Sequence, residues 1–203
     1  LVDRPSVSHY RLAMHLGMAT IIFGLLVMTA QQIAQAHRPV VEAIKKPVLR
    51  RHGWFSLACL SITIVWGAFV AGLDAGLVYN EFPHMGQGRL VPEEFALSGQ
   101  PWWVMVLGDP VGVQFTHRWL AIGAVAVLCF VAWRMQYWVL GAMAIAQMGI
   151  GIVTLLTQLW IPVAALHQAG AFIMLGLLVW GLWSAPTNAG PRRVAPEPGP
   201  LNA

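Results

Sequence analysis

An all-α membrane protein is the fold class this sequence predicts, and three observations predict it. Of the 203 residues, 58% are hydrophobic and 10% charged, with a mean hydropathy of +0.65, whereas a soluble domain carries about 25% charged residues. Five apolar runs are each long enough to cross a bilayer as a helix, which takes about 20 residues. Lys and Arg gather in the segments between runs, the pattern of loops retained on the inner side. The net charge of +4 therefore speaks for topology and not for nucleic acid. Both cysteines, Cys59 and Cys129, fall inside apolar runs, so neither a loop disulfide nor a cysteine metal site is expected.

The chain opens in polar sequence, LVDRPSVSHY, without a secretory signal. It is expected to be the C-terminal portion of a longer or processed protein. Helix one is predicted over 10–33, with no charged residue after His15. The segment AHRPVVEAIKKPVLRRH follows, with Arg38, Lys45, Lys46, Arg50 and Arg51 against Glu42. This is the most basic loop and is assigned to the cytoplasmic or matrix side, with Pro39 and Pro47 as helix breakers.

Helix two is predicted over 53–77. Its end, GAFVAGLDAGLVYNEFP, carries Gly67, Gly72 and Gly76, small residues that admit a neighbouring helix or a flat ligand. Asp74 lies near the membrane edge. The segment 79–116 holds Glu81, Glu93, Glu94 and Asp109 against Arg89, which places it outside. Its PWWVMVLG stretch reads as an interfacial aromatic anchor, and a loop this long suits a lid. Helices three and four are predicted over 113–133 and 137–159, helix five over 164–183. The Pro/Gly-rich tail over 184–203 is expected to be disordered and inside.

Helices one, three and five run in the same direction, and each opens with a histidine: His15, His117 and His167. The first and last share a spelling, Ala-x-His, eight residues, then Gly-Leu-Leu-Val. His117 to Arg134 spans about 26 Å of helix and His167 to the helix end about 24 Å, so the three histidines are expected at one depth near the outer face. Two imidazoles at equal depth on adjacent helices can hold a heme iron from both sides. Arg118 and Arg11 stand where they can pair with propionates, and the glycines of helix two leave room for a macrocycle. Asp74 reads equally as a propionate neighbour, a proton carrier or a solvated helix-end carboxylate. His9, His37, His52 and His84 fall in loops or at helix starts and read as non-ligands, His84 being the first exception to consider. The tryptophans read as interface belt and the methionines as packing. P-loop, HExxH and GxSxG signatures are absent from the sequence.

The stretches VSHYRLAMHLG, GAFVAGLDAGLVYNEFPHMG, VQFTHR, QMGIGIVTLL and PVAALHQAGA resemble the heme A synthase family, in its alphaproteobacterial and mitochondrial branch of cytochrome c oxidase assembly proteins. The resemblance covers about 5–183. It implies an eight-helix pseudo-twofold bundle of two four-helix halves, of which these five helices are the fourth to eighth. Residues 1–33 would then be the last helix of the N-terminal half, 34–52 the basic loop, 53–183 the heme b-binding half and 184–203 the tail. It further implies heme b between His117 and His167, and His15 on the side of the substrate, heme O. The implied reaction oxidises the C8 methyl of heme O to a formyl group by successive hydroxylations. Heme O synthase, an electron acceptor, the lipid bilayer and a homo-oligomer are the implied partners. The bacterial inner membrane is the implied site, the mitochondrial inner membrane the alternative. The family's other substrate-site histidine and its nearby glutamate lie in the helices before this segment, so a catalytically incomplete chain is one expectation. A b-type cytochrome that only carries electrons, such as a dehydrogenase anchor, is the alternative function, and a heme-free helical scaffold or transporter the plain one. His15 discriminates, because a one-heme carrier needs no third histidine at that depth.

Overall fold

A computed structural model describes residues 8–36 and 47–184. The described residues are helical, without strands. Five long helices, α1 (His9–Ala36), α2 (Pro47–Gly72), α5 (Pro110–Met135), α6 (Trp138–Leu156) and α7 (Ile161–Ser184), are joined by two short ones, α3 (Glu93–Leu97) and α4 (Trp102–Gly108), and by a 3-10 turn, Ala75–Leu77. All five long helices are apolar and long enough to span a membrane. The chain is a multi-pass membrane protein. The expectations for 37–46 (His37 and most of the basic loop) and for 185–203 fall outside the described residues.

The direction of each helix follows from its contacts. The end of α2 meets the start of α1, at Gly72 and His9, and the start of α2 meets the end of α7, at Gly53 and Leu182. Gln31 donates to the Trp180 carbonyl at 2.8 Å, and the Phe23 and Phe172 rings meet edge to face at 5.4 Å, so α1 and α7 run parallel. The starts of α1, α5 and α7, where the three histidines stand, therefore share one end of the bundle.

A bilayer offers no water to backbone or hydroxyl groups, so each must be satisfied within the chain. Thr20, Ser56, Thr63, Thr116 and Thr154 donate to the carbonyl four residues earlier on their own helices, at 2.7–2.9 Å. Exposed Met14, Leu26, Ile145 and Ile161 present apolar side chains outward, which lipid tolerates and water would not. Exposed Trp102, Trp103 and Trp160 lie toward the histidine end, and exposed Trp54, Trp133 and Trp138 toward the other. These are the two aromatic belts of a spanning protein.

Helix boundaries have local causes. Asp109 caps α5 by accepting from the Gly112 amide at 3.0 Å, with Pro110 in the first turn. At the far end Gln136 takes a left-handed conformation, and its N–H closes on Ala132 and Trp133. The largest departures from the sequence expectation are the two ends of α2. Helix α2 begins at Pro47 rather than 53, because proline in a first turn has no N–H to miss. It ends at Gly72 rather than 77. Gly72 packs directly on the His9 backbone, Asp74 turns left-handed at φ 50, and the chain continues only as the 3-10 turn.

The core lies toward the end opposite the histidines, with Leu60, Leu128, Leu140, Leu175, Leu178 and Leu182 buried in one cluster. A smaller cluster of Ala13, Ala68, Phe69, Ala75 and Val113 joins α1, α2 and α5 nearer the histidines.

Candidate heme site

A cavity of about 440 Å³ opens among α1, α2, α5, α6 and α7, within the usual ~300–1,000 Å³ of a small-molecule site. Leu60, Leu128 and Met174 of the apolar core form one wall. His117 of α5 and His167 of α7 both line it, and His15 borders it from α1 while remaining exposed. All three histidines, expected at one depth, thus line one cavity. A second hollow of about 530 Å³ among α1, α2 and α7 is lined without any ionisable side chain and offers nothing to ligate.

Each inward histidine lies against a glycine on a neighbouring helix. A methyl group built on Gly67 of α2 would stand 3.4 Å from His117 Cε1. One built on Gly151 of α6 would stand 2.7 Å from His167 Cε1 and 3.3 and 3.4 Å from its two ring nitrogens. Any larger residue at 151 would displace the ring.

The structure adds a residue that the sequence reading did not single out. Gln147 of α6 is buried, and its Nε2 lies 3.1 Å from His167 Nδ1 and donates to the His167 carbonyl at 2.6 Å. Its own oxygen, Oε1, is buried without a partner, as is Nδ1 of His117. Leaving such a group unpaired costs about 1–3 kcal/mol. The available signal was a carboxamide in the middle of an otherwise apolar span, since in a bilayer it must find a partner.

Arg118 lines the cavity, but its guanidinium is engaged with the segment over 79–84. Nη1 donates to the Glu81 and His84 carbonyls at 2.8 and 3.1 Å, and Nη2 to the Tyr79 carbonyl at 2.8 Å. Gln114, also unforeseen, donates to the same Tyr79 carbonyl at 3.0 Å. Together they hold 79–84 across the cavity mouth, where Phe82 joins the lining. Beyond it, the Tyr79 hydroxyl donates to Glu94 at 2.7 Å. That bond holds the Glu94 carboxyl below its ordinary range, and burial followed by Glu94 pushes the Tyr79 phenol up to about 12. Arg11 and Asp74 are exposed and do not line the cavity. His84 is exposed and His9 packs on Tyr10 and Phe69, both away from the cavity lining.

The donor set fits heme. Among the described residues no three His, Cys, Asp or Glu side chains converge as a site for a bare metal ion. Two imidazoles facing an apolar cavity suit a metal that brings its own equatorial ligands. The orphaned His117 Nδ1 and the two glycine-backed rings mark where such a group would be gripped.

Comparison with known proteins agrees with this chemistry. Residues 1–179 match the COX15-CtaA family model, described as cytochrome oxidase assembly protein. The chain is 45% identical over 196 residues to Heme A synthase of Rhodospirillum centenum, covering 90% of this chain and 50% of that protein. It is 39% identical over 192 residues to human Heme A synthase COX15, covering 89% and 46%. With Heme A synthase of Flavobacterium johnsoniae it shares 31% over 193 residues, covering 90% and 56%. The chain thus spans about half the length of the curated relatives it matches. No solved structure matches it. On a family match over nearly all of its spanning helices, this chain belongs to the cytochrome oxidase assembly protein family, COX15-CtaA.

Proposed function

We propose that this chain is the heme-binding C-terminal portion of a heme A synthase, an oxidoreductase that converts the C8 methyl of heme O to the formyl group of heme A. The observation that carries the reading is the convergence of His117 and His167, from α5 and α7, on one apolar cavity in a member of this family. The two imidazoles would hold heme b through its iron. Bound there, heme b supplies one-electron transfer.

The residues around the cavity bind, orient and shield. Gly67 and Gly151 let the rings lie against their helices, so each imidazole has little freedom to turn. Leu60, Leu128 and Met174 exclude water from one side. Arg118 and Gln114 hold the outer strap over the opening, and Arg118 lends positive charge to the edge where propionates need it. His15, exposed at the border of the cavity, faces the substrate heme O. Arg11 and Asp74 belong to the outer surface beside it.

In this reading α1 is the last helix of the N-terminal half and 53–183 the heme b half. The bundle buries Ala13, Thr20 and Gln31 of α1 and leaves Met14, Met18, Ile22 and Leu25 exposed. Such a bare apolar face suits packing against a further helical half. Heme O synthase is the partner that would deliver substrate, an electron acceptor the partner that would take electrons, and a bacterial inner membrane the setting. Heme extraction and chromatography from membranes holding this chain and a source of heme O tests the proposal. Retained heme b is the expected result, with heme A formed once a half carrying the remaining substrate-site groups is supplied. Membranes that yield neither would overturn it.

A further inference from the structure

We infer that Gln147 is a positioning residue that sets the tautomer of His167, donating to Nδ1 while the imidazole is free and accepting from Nδ1–H when Nε2 ligates a metal. The inference rests on the reading that His167 is a ligand. Nε2 of Gln147 donates to the His167 carbonyl at 2.6 Å and lies 3.1 Å from His167 Nδ1. An amide nitrogen only donates, so this arrangement takes Nδ1 as the acceptor and leaves the ring proton on Nε2. An imidazole in that form has no lone pair at Nε2. Ligation through Nε2 needs the proton on Nδ1, and a protonated Nδ1 needs an acceptor beside it.

The acceptor is already in place. Gln147 Oε1 is buried and unpartnered, on a side chain only 5% exposed. The carboxamide sits in a slot made for it. Gly170, one turn beyond His167 on α7, is the residue whose Cβ would collide with Oε1. Gly151, one turn beyond Gln147 on α6, is the residue whose Cβ would collide with the His167 ring. The amide and the imidazole are thus each packed against a glycine of the facing helix, where any side chain would displace them. On ligation the ring proton passes from Nε2 to Nδ1 and the imidazole stays neutral, while the carboxamide turns Oε1 to Nδ1–H, giving up its Nε2 bond to the His167 carbonyl and drawing back from that oxygen. No oxidant or additional proton is needed. A Gln at this position therefore serves where a purely accepting or purely donating side chain would satisfy only one of the two states.

The test uses detergent-solubilised protein, hemin as the probe, and four chains: wild type, H167L, Q147L and Q147E. Q147L is expected to bind hemin about 10–100-fold more weakly. The ferric/ferrous balance of the heme it retains is expected to shift about tenfold, which is about 59 mV for one electron. Q147E keeps an acceptor oxygen at the same reach and is expected to stay close to wild type in affinity. Q147L with wild-type affinity and potential overturns the inference. So do Q147L and Q147E impaired alike, because a loss that ignores the acceptor is a packing effect. If H167L binds hemin as well as wild type does, the ligand reading itself has failed, and this result is distinct from either Gln147 outcome.

Discussion

The separation between a tolerated and a damaging glycine substitution measures how tightly the two imidazoles are held. At Gly67 an added methyl would meet His117 at ordinary contact distance, and at Gly151 it would press on the His167 ring. G67A should therefore keep wild-type heme content, and G151A should lose most of it, as measured by heme-to-protein ratio after purification. Equal retention in both would mean that the 2.7 Å approach is not what fixes the ring. His15, His117 and His167 were legible in the sequence because an ionisable group within the first two turns of a spanning helix stands out against apolar neighbours. Gln147 was not, because its role depends on which residue of α7 faces it, and helix-to-helix register is not written in either helix alone. For the same reason Arg118 read as a free cation beside His117, although the loop carbonyls of Tyr79, Glu81 and His84 occupy its guanidinium.

Helices fared better than the segment between them. All five spans were readable from length and hydropathy, whereas the PWWVMVLG stretch, read only as an interfacial anchor, forms a short helix, α4, pinned by the Trp66 indole donating to the Val106 carbonyl. The strap over 79–84 was not readable, because side chain to backbone bonds from α5 shape it, not any periodicity of its own. Replacing Arg118 with Lys should loosen it, since an ammonium cannot span the three carbonyls that the planar fork reaches. Each lost bond to a charged donor costs about 1.5–3 kcal/mol, visible as faster hydrogen exchange in 79–86 with α5 unchanged. The Tyr79–Glu94 bond adds a pH window. Glu94 is lowered, so its contribution is present above the ordinary carboxylate range and is lost as pH falls through the folded value. Tyr79 is raised, so its contribution is present below the unfolded value of 10.0 and is lost as pH rises through about 12. Protection at 90–98, the observed exchange rate relative to the intrinsic rate at each pH, should therefore be greatest near neutrality and fall at both extremes, and Y79F should flatten that profile. A profile in Y79F that still tracks the wild type would assign the pH dependence elsewhere.

Across the whole molecule, five alternating spans put the turn at Gln136 and the segment around Ser98 on opposite membrane faces. Maleimide labelling of single cysteines in otherwise cysteine-free protein checks this. S98C should react from the outer side in intact cells and Q136C only after permeabilisation, and the reverse pattern would invert the assigned orientation. The same layout places the three histidines at one end and the leucine core at the other. The most direct test of the account is the reduced-minus-oxidised spectrum of the purified protein, wild type beside H117L, H167L and H15L. The account predicts a low-spin b-type spectrum in wild type and H15L and its loss in both H117L and H167L. An unchanged spectrum in H117L and H167L, or its loss in H15L alone, would contradict the assignment of the cavity as a heme site held from α5 and α7.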